Sequence, residues 1–161
     1  MNEKELTIRY REYNSVHELD NDHQELINIA SKACLNAYAP YSGFKVGAVV
    51  MCNDGRTFSG NNQENAAYPS GMCAERVAIF AAMADNKNTK IKQIAIAVKT
   101  INGNSHVPVA PCGSCRQVIA EYEHKQGSPI ELMFTSESGR TIVLNGIKSL
   151  LPFVFNSDYL P

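Results

Sequence analysis

Between residues 22 and 37, Leu26, Ile27, Ala30, Ala33, Cys34 and Ala37 recur at helical spacing, and Pro40 ends the run. Val46 to Met51 is instead an apolar run of strand length. Asn53-Asp54-Gly55 follows it as a hairpin turn signal, so Arg56 to Gly60 is expected to return antiparallel. Residues 61–71 read as a loop leading into an Ala-rich helix over 72–84. Ile91 to Lys99 is dense in Ile, Ala and Val and predicts a buried strand. After a loop over 100–110, Pro111 opens a helix over 113–124, being a residue favoured in the first helical turn. Residues 130–135 and 141–144 predict further strands, and 146–151 a short final helix. At the other end, Leu6, Ile8 and Tyr10 alternate with polar residues, which predicts a short N-terminal strand or arm. Helices alternating with buried strands imply a three-layer α/β/α domain around one mixed sheet of about five strands. Residues 1–21 read as an N-terminal extension and 22–161 as a single domain.

Composition narrows the class. The chain has 161 residues, 44% of them apolar and 19% charged, which suits one globular domain with a real core. Fifteen Lys and Arg against sixteen Asp and Glu leave a formal charge of −1, with no basic run of the kind that holds a polyanion. Nucleic acid is therefore not the expected partner. Residues 1–13 lack the apolar core of a secretory signal, and the longest apolar runs are far too short to span a bilayer. No membrane association is expected. The five cysteines, an odd number, argue against a disulfide framework, so reduced thiols and a cytoplasmic location are the expectation.

The chemistry gathers at Cys73-Ala74-Glu75 and Pro111-Cys112-Gly113-Ser114-Cys115. Zinc held by three protein ligands keeps a fourth position for water, and a carboxylate beside it is placed to move that water's protons. Thiols at helix N-termini are shifted toward thiolate, the form a metal binds. Three thiolates leave excess negative charge, so Arg76 and Arg116, each directly after a motif, are expected to support sulfur, at least one of them by contact. Two rival readings stay open on the cysteines alone. Cys112-Gly113-Ser114-Cys115 resembles a dithiol redox site, and a structural zinc site could recruit Cys34, Cys52, His106 or His124 as fourth ligand. Neither rival uses Glu75. Cys34 and Cys52 lie in apolar patterns and are expected to be core thiols, whereas His17, His23, His106 and His124 are expected at the surface.

These motifs, with Tyr41-Ser42-Gly43-Phe44-Lys45-Val46-Gly47-Ala48 and Asn62-Gln63-Glu64-Asn65-Ala66-Ala67-Tyr68, resemble those of cytidine deaminases of the small homotetrameric class with three cysteine ligands. The resemblance runs from about Leu26 to Phe155 and makes 22–161 the catalytic domain. It implies one Zn2+ per subunit on Cys73, Cys112 and Cys115, with Glu75 as the proton shuttle. It further implies that the Ala74 N–H fixes the base, that Phe44 packs against it, and that Asn62 and Glu64 hold the ribose hydroxyls. Tyr68 and Phe155 resemble residues that reach a neighbouring subunit's pocket, with Phe153 competing for the second role. Read without the resemblance, Phe44 is a core residue, Asn62 and Glu64 are ordinary loop residues, and Tyr68 and Phe155 are interface packing. The implied activity is hydrolytic deamination of free cytidine and 2′-deoxycytidine in pyrimidine salvage. A blasticidin-type aminonucleoside deaminase is the alternative with nearly the same motifs.

Overall fold

The computed structural model describes residues 1–160 except 102 and 104. Six strands form one sheet: β1 (Arg11–Tyr13), β2 (Lys45–Cys52), β3 (Thr57–Asn61), β4 (Ile91–Lys99), β5 (Glu131–Thr135) and β6 (Thr141–Asn145). Their order is β1-β6-β5-β4-β2-β3. Only the β4–β5 pair is parallel; the other four neighbouring pairs among these strands are antiparallel. The parallel pair requires a crossover, which α3 (Gly113–Gln126) supplies.

Strand alternation explains the layers. Ile94 and Ile96 of β4 point into a core shared with Ala78 and Ile79 of α2 (Ala74–Asp85) and Ile119 of α3. Ala95 and Ala97 point the other way, into a second core with Leu26, Ile27 and Ala30 of α1 (Asn21–Ala33). The three-layer α/β/α expectation therefore holds, with α1 on one face and α2 and α3 on the other.

Two details differ from the sequence reading. The sheet has six strands rather than about five, because residues 11–13 add β1 to the free edge of β6. Leu6, Ile8 and Tyr10 precede that strand and are exposed. The final helix shrinks to a single 3-10 turn, Ile147–Ser149, because it lies between Gly146 at φ 88° and Leu150, whose carbonyl accepts from Arg116 instead of continuing a helix. Among the described residues no helix is long and apolar enough to cross a membrane.

Packing also sets the position of α2. A Cβ on Gly60 in β3 would sit 2.5 Å from both Ala74 O and Ala78 N. Only the bare glycine lets the first turn of α2 rest directly on the strand.

Candidate active site

Cys73 and Cys112 are the N-cap residues of α2 and α3, and neither helix start has a side-chain cap hydrogen bond. Each sulfur therefore stands beside a set of free helix N–H groups and the positive end of the dipole. Cys115, one turn into α3, is buried. The three Sγ atoms lie within 4.8 Å of one another, and Cys73 and Cys112 are 3.7 Å apart. Zinc–thiolate bonds in a tetrahedron place sulfurs about 3.8 Å apart, so the trio fits a zinc ion. Among the described residues no fourth Cys, His, Asp or Glu joins this group. Cys34 and Cys52 are buried in the two cores, and desolvation raises both thiols. His106 and His124 are exposed, and His124 faces Asp158. A closed site with four protein ligands is therefore not what these residues build.

The sulfurs share charge unequally. A hydrogen bond from Cys115, together with those from Arg76 and Cys112, lowers Cys73 to about 5 against the opposing effect of burial. Cys115 is pushed upward by the thiolate character of Cys73 and by burial. Arg76 Nη2 lies 3.7 Å from Cys73 Sγ, and its Nε is buried without a partner. Arg116 does not follow suit. Its Nε donates to Pro111 O at 2.8 Å and its Nη1 to Leu150 O at 3.0 Å, because its place in the first turn of α3 points it back along the incoming loop.

Glu75 occupies the first turn of α2 and is 4% exposed. Burial raises its carboxyl above the ordinary carboxylate range, and the neighbouring Cys73 charge adds to that rise. A raised carboxyl keeps a proton more readily than an ordinary carboxylate, which suits a group that must both take and give one.

Glu75, Cys73, Cys112 and Ala74 line one cavity of about 680 Å³, together with Phe44, Asn62, Glu64 and Tyr68. Its volume is that of a small-molecule site. Asn62 Oδ1 accepts from Val46 N at 2.8 Å and its Nδ2 donates to Phe44 O at 2.9 Å. Glu64 accepts from Tyr41 N at 2.9 Å, Ser42 N at 3.3 Å and Ser42 Oγ. Hydrogen bonding, led by Ser42, lowers the Glu64 carboxyl and keeps it ionised. Phe44 is half-buried at the end of this loop, where Gly43 has φ 65° and Ile101 fills the space a Cβ would need. Tyr68 is 78% exposed at the cavity's margin and meets Tyr41 edge-on, with ring centroids 6.3 Å apart.

Phe155 and Phe153 do not line this cavity. Phe153 is 93% exposed, and Phe155 stacks on Tyr159 with centroids 5.8 Å apart. Gln117, two residues after Cys115, donates to Phe155 O at 2.7 Å and so ties the C-terminal segment to α3. The sequence reading missed Ser42 as a support for Glu64, although it stands inside a motif quoted there. It also missed Val109 and Ala110 as cavity wall, because they are plain apolar loop residues.

The sequence model described as "Cytidine and deoxycytidylate deaminase zinc-binding region" matches residues 20–127. The chain is 45% identical over 101 residues to the cytidine deaminase of Sporosarcina psychrophila, which is 63% of this chain and 70% of the relative. To the cytidine deaminase of Mycobacterium tuberculosis it is 34% identical over 142 residues, 88% of this chain and 96% of the relative. The crystal structure of cytidine deaminase from Burkholderia pseudomallei superposes with a TM-score of 0.73 at 41% identity, over 83% of this chain and 98% of that one. Because the matched span contains the sulfur trio, Glu75 and the helices that carry them, the chain belongs to the zinc-dependent cytidine and deoxycytidylate deaminase family.

Proposed function

We propose that the protein hydrolyses free cytidine and 2′-deoxycytidine to uridine and 2′-deoxyuridine, releasing ammonia, with Cys73, Cys112 and Cys115 holding the zinc. The observation that carries this reading is a buried Glu75 in the same cavity as Cys73 and Cys112, two members of the sulfur trio. When bound, zinc supplies acidity to a water molecule at its open position. Glu75 takes one proton from that water and hands it to N3 of the pyrimidine as oxygen adds at C4. It then carries the second proton to the departing amine, so that one water and one nucleoside become a uracil nucleoside and ammonia. The Ala74 N–H steadies the base, and Phe44 packs on its face. Asn62, which also orders the loop that carries Phe44, and Glu64 hold the sugar hydroxyls.

The cavity lining favours a nucleoside over a phosphorylated substrate. Among its described residues Arg76 is the basic one, and that guanidinium is directed at Cys73. Glu64 would repel a phosphate at the sugar end. We further place the enzyme in cytoplasmic pyrimidine salvage, with 22–161 as the catalytic unit and 1–21 as an extension. We assign it a homotetramer in which Tyr68 and Phe155, or Phe153, approach a neighbour's site. Exposed aromatics at these positions support that assembly.

Ammonia release from cytidine by the zinc-loaded protein tests the activity. Glu75→Gln should keep its zinc and lose about 10²- to 10⁴-fold in kcat. Full activity in that variant would sink the mechanism. Turnover of an aminonucleoside antibiotic but not of cytidine would transfer the assignment to the alternative substrate.

A further inference from the structure

Ser42 has a bonding pattern that its place in an exposed loop does not require. Its Oγ accepts from Phe44 N at 3.0 Å, so its one hydroxyl proton is free to go to Glu64 Oε1, where the second contact lies. Tyr41 N and Ser42 N both donate to Glu64 Oε2, at 2.9 and 3.3 Å. An ionised carboxylate offers about four acceptor positions. Three are taken by this loop, and the one left is on Oε1. Both backbone polar groups of Phe44 are also engaged, N–H by Ser42 and C=O by Asn62 Nδ2. The loop over 41–46 and the segment over 62–64 are thus stitched into one wall of the cavity.

We propose that Ser42 is a positioning residue for sugar recognition, aiming Glu64 so that a single acceptor position on Oε1 faces one sugar hydroxyl. This rests on the nucleoside reading given above. A carboxylate with one acceptor position left reads one hydroxyl. That hydroxyl must be common to ribose and 2′-deoxyribose if both sugars are accepted, which leaves the 3′ and 5′ positions, and Glu64 is assigned the 3′-hydroxyl. The same serine holds the amide of Phe44, so the sugar acceptor and the ring facing the base are set by one side chain. The lowered Glu64 carboxyl agrees with a donor-rich setting, since an ionised group is what the three donors favour.

The test is steady-state kinetics of the zinc-loaded enzyme on 2′-deoxycytidine and on 2′,3′-dideoxycytidine, which lacks the hydroxyl in question. Ser42→Ala should raise KM for 2′-deoxycytidine roughly 10-fold, the scale of a lost hydrogen bond to a charged group, with kcat changed less than about twofold. Its KM for the dideoxy substrate should stay at the wild-type value, and Ser42→Thr, which keeps the hydroxyl, should recover most of the loss. Glu64→Ala should show the same dependence on the sugar, and the double variant should be no worse than Glu64→Ala alone, as expected for two groups acting as one. Equal losses on both substrates, or additive losses in the double variant, overturn the proposal and leave Ser42 as a loop support. If Glu64→Ala is sugar-dependent while Ser42→Ala is neutral, only the serine's role falls. If Glu64→Ala is indifferent to the sugar, the assignment of Glu64 falls with it.

Discussion

Arg76 shows how a single side chain can set the character of the metal site. Its guanidinium is the cationic donor to Cys73, and the contact raises Arg76 as it lowers Cys73. Outer partners of metal ligands typically carry a 10- to 100-fold share of affinity. Arg76→Ala should therefore weaken zinc retention by about that factor, measured by competition with a chelator. Unchanged retention would show that the contact contributes nothing to binding. Cys73, Glu75, Cys112 and Cys115 are legible in the sequence because each pair sits within one helical turn, where spacing dictates proximity. Ser42 is not, because its partner Glu64 is 22 residues away and meets it only when two loops fold together. Arg116 misleads for a related reason: adjacency to Cys115 in sequence does not say which way a long side chain turns on a helix. His23, expected at the surface, is half-buried with a carboxylate on each ring nitrogen, a setting that polar neighbours in sequence do not reveal.

That histidine belongs to a clasp between elements. His23 in the first turn of α1 meets Asp20 at 2.5 Å and Glu131 of β5 at 2.7 Å, while Arg11 of β1 reaches Glu131 at 2.8 Å and Gln93 of β4 reaches it at 2.7 Å. Burial opposes the charge on His23, but hydrogen bonds to Glu131 and Asp20 outweigh it and raise the imidazole above 6.5. Glu131 is held below 4.5: burial works against this, and His23 and Gln93 prevail. The signs then follow from linkage. The histidine's contribution is complete below its ordinary value of 6.5 and fades as pH rises through the raised folded value. The Glu131 contribution is complete above 4.5 and fades as pH falls through its lowered value. His23→Gln should therefore cost more thermal stability near about pH 5.5 than near about pH 9, read as the difference in Tm from wild type. A difference that does not change with pH would rule the clasp out. Among the elements, β2, β4 and α3 are the most legible, since long apolar runs and Pro111 mark them. β1 is the least, because three residues carry almost no periodicity and the strand exists only through its pairing with β6.

For the whole molecule, exposed apolar groups stand on the N-terminal segment, on loops, on α2 and at the C-terminus, and the last two bear on assembly. Phe80 and Ala81 face outward from α2, a helix whose mean composition is apolar, and Phe153, Phe155 and Tyr159 stand out from the last ten residues. Faces of this kind are covered by another protein surface when the molecule assembles. Light scattering should accordingly give the mass of four chains, and Phe153→Ser with Phe155→Ser should lower both that mass and the activity. A single-chain mass with full turnover would remove the tetramer.

The far side of the sheet carries a different consequence. β1 is short, two of its three residues are charged, and Arg11 and Glu12 are each locked to a neighbour, Glu131 and Arg140. Such a border offers almost no free backbone to a strand from another molecule. Strand addition along this border would therefore have a run of three residues to pair with, too short to seed a growing sheet.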